Sequence, residues 1–514
     1  MRLVDYLDKG ISVAADQACL TTGEESLTYR EVGDLSGRIA SALAARGVEP
    51  GASVAILSAN DPVAFAAVFG VSRAGAVWCP VNPRNEAAEN RELLERFDCE
   101  VLIHQAAFTG LVDAIAPDLP ALHTVVCLDG ERDGSLGWSD FLAGGGRPVD
   151  RHEPDDVAMI VGTGGTTGRP KGVVLTHQNL ETMTALTLMG YPIGERPVYL
   201  AVAPLTHAAG VLCFPMLVSG GEIVIARTPA VDAILDLVPR HGVTHLFLPP
   251  TLVYMLLDAP ALDSTDLSSL RCFWYGAAPM SVARLTEAIE RVGPVMAQLF
   301  GQTEAPMMLT MLPPDEHVDE DGVPIPSRLS SAGRAAPLVT LAIVDEHGSH
   351  QPPGERGEIV VRSSLVMRGY YRDPEATATA TLDGWHRTGD IGYLDEERYL
   401  HIVDRAKDMI ITGGFNVYSA EVEQALMRHP AVQDCAVVGR PDDQWGERVV
   451  AVVQLRPGRV VETSELRSFV RAEIGGVKAP KELHLWDDLP RSKVGKVVKP
   501  EVRARLDARP STEV

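Results

Sequence analysis

A run rich in glycine and threonine, at residues 163–172, carries the residue types that hold phosphate groups in proteins. It has four glycines, three threonines and one lysine, and it directly follows the apolar segment Val157–Val161. Glycine lets backbone N–H groups turn toward an anion, threonine hydroxyls add donors, and lysine adds charge. The run is not a Walker motif, because Arg169 and Pro170 separate Gly168 from Lys171. The pattern predicts a clamp for the phosphates of ATP, with a flexible surface loop as the alternative.

An acidic motif, Gly301–Glu304, follows an apolar segment whose strand we expect to end at Phe300. A carboxylate after a strand end is a natural magnesium ligand, because hard cations prefer oxygen. Thr303 is the neighbouring residue, and its hydroxyl could reach the α-phosphate of ATP. A solvated loop glutamate is the alternative for so short a motif.

Five further motifs contain candidate binding or catalytic residues. They are Pro204–Gly210, Gly276–Pro279, Trp385–Asp390, the pair Asp404–Ile410 with Gly413–Tyr418, and Pro490–Lys496. The small residues of Gly276–Pro279 would let a flat ring approach the backbone. The carboxylate of Asp390 is suited to accept hydrogen bonds from two ribose hydroxyls. A structural histidine, tight turns and a solvated basic tail are the alternatives.

Alternating strands and helices must position these motifs, so the periodicity predicts an α/β protein. The predicted strands before residue 332 are Val54–Leu57, Gly75–Val81, Val101–Ile103, Thr124–Cys127, Ile223–Ile225, His245–Leu248, Cys272–Tyr275 and Val295–Leu299. The predicted helices between them are Pro62–Val71, Arg91–Phe97 and Ser281–Arg291.

The pattern changes twice toward the C-terminus. From Ala332 short strands predict a small β-rich subdomain, with Thr340–Val344 and Gly357–Val361 among them. After Asp404 a new unit is predicted, with helices Ala420–Arg428 and Thr463–Ile474 and strands Val432–Val438 and Val449–Leu455. We therefore expect two domains, residues 1–404 and 405–514, because 514 residues are too many for one core.

Composition excludes several classes of function. A formal charge of −23 argues against a nucleic-acid partner. No uninterrupted apolar stretch is long enough for a membrane span, and the charged first ten residues are unlike a secretion signal. Seven cysteines without a CxxC pair predict reduced thiols and a cytoplasmic enzyme. Monomer and homodimer both stay open.

In their order along the chain, the motifs resemble those of the adenylate-forming (ANL) superfamily: acyl-CoA synthetases, amino-acid adenylation domains and luciferases. Fatty-acid–CoA and 4-coumarate–CoA ligases are similar members. The resemblance implies a large N-terminal domain of layered α/β subdomains with a small β-rich subdomain, followed by a small, mobile α+β C-terminal domain. Two departures are Gly164, where the family usually has serine, and Thr206, where it usually has an aromatic residue.

The resemblance also implies a role for each candidate residue. Those that would contact the nucleotide are Thr163, Gly164, Gly165, Thr166, Thr167, Gly168, Lys171, Gly276, Ala277, Ala278, Phe300, Gly301, Gln302, Asp390 and Arg405. Glu304 would bind Mg²⁺, Thr303 would reach the α-phosphate, and Lys496 would be the catalytic lysine. His207 would line the acyl pocket, Lys407 would be a hinge, and Gly414 would let the pantetheine arm of CoA pass.

The reaction so implied has two steps and needs ATP, Mg²⁺ and CoA. A carboxylate attacks the α-phosphorus of ATP and expels pyrophosphate, and the CoA thiol then displaces AMP. Three classes compete: an acid–CoA ligase, an adenylation enzyme that loads an acyl or amino acid onto a carrier protein, and a non-catalytic relative; a luciferase-like oxygenase also stays open.

An apolar acid is the favoured substrate. Between residues 208 and 230 the only acid is Glu222, whereas Val211–Met216 is apolar throughout, and a buried ammonium without a partner costs several kcal/mol. Met307–Leu309 would help to line the pocket, with plain core packing as the alternative. Medium-chain, branched, alicyclic and aryl acids all stay open.

Overall fold

Two large sheets form the framework of the first 400 residues in the computed structural model, which describes residues 1–130, 133–163, 170–205, 208–405, 408–413, 415–442, 445–491 and 497–508. The first sheet has eight strands, parallel except at one edge. In spatial order they are Gly369–Tyr370, Lys171–Thr176, Val157–Thr163, Val77–Val81, Ser53–Leu57, Cys99–His104, Thr124–Cys127 and Leu136–Gly137.

The second sheet has nine strands with a parallel centre and antiparallel strands at both edges. In spatial order they are Arg334–Ala335, Ala305–Leu312, Met296–Gln302, Cys272–Gly276, His245–Leu248, Val198–Ala201, Glu222–Ile225, Ala18–Thr22 and Glu25–Thr28. Parallel strands need long crossovers, and the helices supply them.

Helices cover both faces of the two sheets. Alternate residues of one strand enter different cores, so Tyr199 faces the core shared by both sheets whereas Leu200 faces outward. The helices of the shared core are Leu3–Ala14, Tyr29–Ala45, Pro62–Arg73, Trp138–Ala143, His177–Gly190 and Ala208–Val218. The outer helices are Ala87–Arg96 and Thr109–Ile115 on the first sheet, and Val231–His241, Pro250–Leu257, Val282–Val292 and Pro326–Leu329 on the second.

Two smaller five-stranded sheets follow. The first consists of Thr340–Val344, Gly357–Arg362, Trp385–Leu394, Thr381–Leu382 and Leu400–Arg405. The helix Pro374–Thr379 directly precedes its strand Thr381–Leu382 along the chain. The second consists of Phe415–Val417, Ile410–Thr412, Gly446–Leu455, Val432–Asp442 and Glu482–Leu485, packed with helices Ser419–Met427, Thr463–Ile474 and Lys499–Asp507. The predicted α/β class, the β-rich subdomain and the smaller C-terminal domain are therefore confirmed.

A buried polar relay connects the last two sheets. The carboxylate of Asp404 accepts hydrogen bonds from the backbone N–H and the hydroxyl of Ser419. The ammonium of Lys499 donates to that hydroxyl and pairs with Glu423 at 2.9 Å. Asp404 ends the predicted first domain and the other three residues follow it, so this relay anchors the C-terminal helices to the strand that precedes the predicted hinge.

Among the helices of the described ranges, none combines the length and the apolar character that crossing a bilayer requires. The predicted elements lie where the pattern indicated, with ends that differ by at most four residues. One difference bears on function. The strand expected to end at Phe300 continues to Gln302, because Gln302 pairs with Ala305 of the next strand. Gly301 and Gln302 therefore belong to a hairpin rather than to a loop.

Buried histidines make the fold sensitive to acid. The pKa of His317 lies at about 4, below its usual 6.5, because burial disfavours the charged ring. Its Nδ1–H donates to the carbonyl of Pro313, so Nε2 accepts from the Tyr275 hydroxyl and the ring is neutral. Burial lowers the pKa of His177 and His245 to about 4 as well.

We expect the folded protein to lose stability between pH 6.5 and pH 4, because only the unfolded chain binds these protons in that window. For His317, the loss between pH 7 and pH 5 is about 2 kcal/mol. His317→Gln should reduce the loss of unfolding free energy between pH 7 and pH 5, measured by denaturant unfolding, by about that amount, since glutamine does not titrate. An unchanged slope between pH 7 and pH 5 would contradict this assignment.

Candidate functional site

The predicted phosphate loop joins two antiparallel strands. Val157–Thr163 and Lys171–Thr176 pair up to Thr163 and Lys171, which face each other at the base of the connection. The Thr163 hydroxyl is 3.4 Å from the carbonyl of Lys171. The two ends of the loop therefore lie on neighbouring antiparallel strands of the first sheet. Of its predicted contacts, Gly164, Gly165, Thr166, Thr167 and Gly168 lie outside the described residues.

Arg96 fastens the far end of this loop, and the sequence analysis did not identify it. Its guanidinium donates to the carbonyl of Pro170 at 3.0 Å and pairs with Asp373 at 3.0 Å. A guanidinium that binds two separate partners in this way fixes the backbone from which Lys171 projects. No local signal distinguishes Arg96 from other arginines, because both of its partners are distant in sequence.

The acidic motif forms the tip of a hairpin in the second sheet. Thr303 and Glu304 are the two residues between Gln302 and Ala305, which are paired. The returning strand then bulges over residues 306–309. Met307 within it has a φ of +64°, a backbone conformation that is rare for residues other than glycine. Bulges beside a turn can re-aim its side chains, and Glu304 lies in the turn directly before this irregularity.

Tyr370 connects the loop lysine with the hairpin glutamate. Its hydroxyl donates to Oε1 of Glu304 at 2.8 Å, and the ammonium of Lys171 lies 4.7 Å from the centroid of its ring. Burial and the neighbouring carboxylate raise the pKa of Tyr370, so the hydroxyl keeps its proton and acts as a donor. A cation, an aromatic ring and a carboxylate thus form a continuous series of contacts between the two large sheets.

A second cluster surrounds the predicted ribose ligand, Asp390. Its Oδ1 pairs with Nε of Arg405 at 3.2 Å, and its Oδ2 accepts from Nε2 of Gln302 at 2.9 Å. Asp390 lies within a strand and is buried, whereas the Arg405 side chain is half exposed. The cluster joins the end of the acidic motif to the β-rich subdomain, as binding to one nucleotide would require.

His386 completes this cluster and was not singled out by the sequence analysis. Its Nε2 is 3.3 Å from Oε1 of Gln302. Burial lowers the pKa of His386, which therefore stays neutral and suits a donor to the amide oxygen. The Gln302 amide nitrogen also donates to the carbonyl of Thr388 at 2.7 Å. The orientation of Gln302 is thus determined by three partners from one strand.

The carboxyl ends of two neighbouring parallel strands are unusually close-packed. A Cβ on Gly276 would lie 2.4 Å from the carbonyl of Leu299, and one on Gly301 would lie 2.4 Å from the backbone nitrogen of Met307. Ala277, directly after the first glycine, has a φ of +68°, which costs energy in any residue with a side chain. Ala278 continues this turn, and Phe300 is half-buried on the next strand. Ligands of α/β proteins bind at such strand ends.

The described site residues therefore converge from five distant parts of the chain. Lys171, Glu304, Gln302, Asp390 and Arg405 are connected through contacts of at most 4.7 Å by way of Tyr370 and the hairpin. His207, Lys407, Gly414 and Lys496 lie outside the described residues, so their predicted roles rest on the sequence.

The donor set fits one magnesium ion that is shared with phosphate. Within the part of the chain that the structure describes, no three histidine, cysteine, aspartate or glutamate side chains cluster so as to hold a metal ion. The carboxylate of Glu304 nevertheless accepts a hydrogen bond from Tyr370, whose ring also contacts the Lys171 ammonium. Mg²⁺ in nucleotide sites takes one or two carboxylates and completes its shell with phosphate and water.

Comparison with known proteins identifies relatives along the whole chain. A family model described as AMP-binding enzyme matches residues 7–371, and one described as AMP-binding enzyme C-terminal domain matches residues 421–496. A medium/long-chain-fatty-acid–CoA ligase of Mycobacterium tuberculosis is 35% identical over 508 residues, which are 95% of this chain and 87% of that protein. A feruloyl-CoA synthase of Amycolatopsis is 37% identical over 490 residues, 94% of this chain and 95% of that protein.

A solved structure has the same fold. The amide bond synthetase McbA of Marinactinospora thermotolerans superposes with a TM-score of 0.90 at 32% identity, over 98% of this chain and 99% of that one.

Proposed function

The chain belongs to the AMP-binding enzyme family, whose members form adenylates, and from this premise we propose that it is an ATP-dependent ligase that joins an apolar carboxylic acid to CoA. AMP and pyrophosphate are the other products. The observation that carries the proposal is the continuous connection from Lys171 through Tyr370 to Glu304, beside the Gln302–Asp390–Arg405 cluster. It provides cation, metal ligand and ribose acceptor for one nucleotide.

In the first step the acid and the triphosphate repel each other, so catalysis is largely positional and electrostatic. Lys171 and the glycine-rich loop hold the phosphates, Thr303 donates to the α-phosphate, and Asp390 and Arg405 hold the ribose. The ammonium of Lys496 offsets charge at the reacting phosphate. The strand ends at Gly276, Ala277, Ala278 and Phe300 hold the adenine. No side-chain nucleophile is needed.

Glu304 is the residue that would hold Mg²⁺, since Tyr370 connects its carboxylate with the Lys171 ammonium. Bound there, the ion neutralises negative charge on phosphate oxygens. The hydrogen bond from the Tyr370 hydroxyl would hold the Glu304 carboxylate in place for the ion.

The second step requires the CoA thiol to reach the adenylate. We assign domains to residues 1–404 and 405–514, with rotation about Lys407. Rotation withdraws Lys496 and brings Gly414 alongside the pantetheine arm. The relay from Asp404 to Ser419 and Lys499 crosses this boundary, so the rotation has to break these contacts.

The apolar class of acid is supported by the helix Ala208–Val218, whose sequence contains no charged residue. Glu222, the one nearby acid, accepts a hydrogen bond from Thr21 at 2.6 Å on a neighbouring strand of the sheet. It is therefore engaged elsewhere and is not a partner for a substrate ammonium. His207 precedes the helix and would border the acyl group.

A second candidate keeps the adenylation step but transfers the acyl group to an acceptor other than CoA. It is favoured by the likeness to an amide bond synthetase. The acceptor then would be an amine or a carrier-protein thiol.

We propose a reducing compartment, such as the cytoplasm, as the place of action. All seven cysteines are buried thiols without disulfides, which is the usual state of cytoplasmic proteins.

Pyrophosphate release tests the proposal. The enzyme with ATP and Mg²⁺ is given fatty, alicyclic, aryl and amino acids, each with CoA, with an amine or with neither. We expect release with apolar acids and a thioester only with CoA. Turnover restricted to amino acids would refute the substrate class, and amide formation without thioester formation would favour the second candidate.

A further inference from the structure

One short segment, residues 367–371, joins the two halves of the phosphate site, and no motif of the sequence analysis included it. Its backbone contacts the acidic hairpin at one end, where the N–H of Met367 donates to the carbonyl of Glu304 at 2.7 Å. At the other end the N–H of Tyr371 donates to the carbonyl of Gly172 at 2.7 Å. The segment therefore spans from the second large sheet to the first.

Between these ends the segment is an edge strand of the first sheet. Gly369 pairs with Val174 and Tyr370 pairs with Val173, two residues beyond Lys171. This register places the Tyr370 ring beneath the Lys171 ammonium, 4.7 Å from its centroid. The hydroxyl of the same ring donates to Glu304 at 2.8 Å. The backbone of residues 367–371 and the side chain of Tyr370 thus each connect the Glu304 hairpin with the strand that begins at Lys171.

We propose that Tyr370 is a positioning residue for the metal-dependent step: it holds the Glu304 carboxylate at a fixed distance from the Lys171 ammonium. This inference rests on the proposed function, in which Glu304 binds Mg²⁺ and Lys171 binds phosphate. A donor that orients a ligating carboxylate contributes to metal affinity and activity, and its loss typically costs about 10–100-fold. The ring itself keeps Lys171 in place through a cation–π contact.

The chain offers two matched controls. Tyr371 is the next residue and is also half-buried, but its hydroxyl contacts Asp98 at 3.3 Å instead. Tyr399 repeats the chemistry, because its hydroxyl donates to Glu316 at 2.7 Å and the Arg334 guanidinium carbon lies 4.2 Å from its ring centroid. Neither tyrosine contacts Glu304 or Lys171 among the described residues.

Tyr370→Phe, Tyr371→Phe and Tyr399→Phe each remove one hydroxyl and keep the ring. The test measures binding of a non-hydrolysable ATP analogue by calorimetry, with Mg²⁺ and with a chelator instead. For Tyr370→Phe we expect about tenfold weaker binding in Mg²⁺ and unchanged binding with the chelator. We expect the Mg²⁺ concentration for half-maximal pyrophosphate release to rise by about the same factor. The two controls should match the wild type in both measurements.

The inference alone is overturned by a Tyr370→Phe variant with wild-type Mg²⁺ dependence, or by an equal loss with and without Mg²⁺, which would indicate a merely structural role. A Mg²⁺ effect shared by Tyr399→Phe would overturn it as well. Analogue binding needs no acid and no CoA, so failure of the acid panel leaves this test intact. If the wild type binds the ATP analogue equally well with Mg²⁺ and with the chelator, both the inference and the assignment of Glu304 as a magnesium ligand are overturned.

Discussion

Replacing Lys496 by alanine is expected to lower the rate of adenylate formation by about 10²–10³-fold while largely sparing thioester formation from supplied acyl adenylate. The lysine would act only while charge develops between carboxylate and phosphate, and removing one such donor typically costs a factor of this size. In the second step AMP is a good leaving group, so the same ammonium is not required. The two rates are measured separately, as pyrophosphate release and as thioester formation from synthetic adenylate.

Lys481 provides the control for this variant. It also belongs to the C-terminal domain, but its ammonium donates to the backbone carbonyl of Gly476 on the surface. Lys481→Ala should therefore leave both rates near those of the wild type. An equal loss of both rates in Lys496→Ala would contradict the assignment, because it would indicate damage to the fold or to CoA binding.

Glu304→Gln is expected to lower pyrophosphate release by about 100-fold at limiting Mg²⁺, because the variant removes the charged oxygen ligand of the metal and keeps its shape. The glutamine still offers a carbonyl oxygen to the Tyr370 hydroxyl, so the hairpin should keep its form. Raising the Mg²⁺ concentration should restore part of the rate. Thioester formation from supplied adenylate involves no triphosphate and should change little.

The matched control is Glu316→Gln, since Glu316 likewise accepts a hydrogen bond from a tyrosine, Tyr399, at 2.7 Å. It should retain the Mg²⁺ dependence of the wild type. If both glutamine variants lose activity alike, at every Mg²⁺ concentration, the effect comes from packing and Glu304 is not the metal ligand.

Residues with short-range signals could be identified before the structure. The glycine-rich run, the Glu304 motif and the Trp385–Asp390 motif are all contiguous, and their residue types suit phosphate, metal and ribose. Strand and helix positions followed from periodicity, which is also local. The end of the strand at Phe300 was wrong, because pairing of Gln302 with Ala305 in the hairpin extends it.

Other residues of the site carry no local signal. Tyr370 lies 66 residues from Glu304, and Arg96 lies 277 residues from Asp373. His386 lies inside the Trp385–Asp390 motif, but nothing in that motif indicates its contact with Gln302, 84 residues away. Each becomes a functional candidate only when its partner is known, since an isolated tyrosine, arginine or histidine is compatible with many surroundings.

By itself the sequence determined the family, the α/β class and the chemistry of each motif, because glycine loops, carboxylates and lysines keep their properties in any arrangement. Only the tertiary structure decided that Lys171 and Glu304, from different sheets, share the ring and hydroxyl of Tyr370. It also decided that Gln302 holds Asp390 across 88 residues. The physical reason is that hydrogen bonds and cation–π contacts act over a few ångströms, and those distances are set by sheet register and not by separation along the chain.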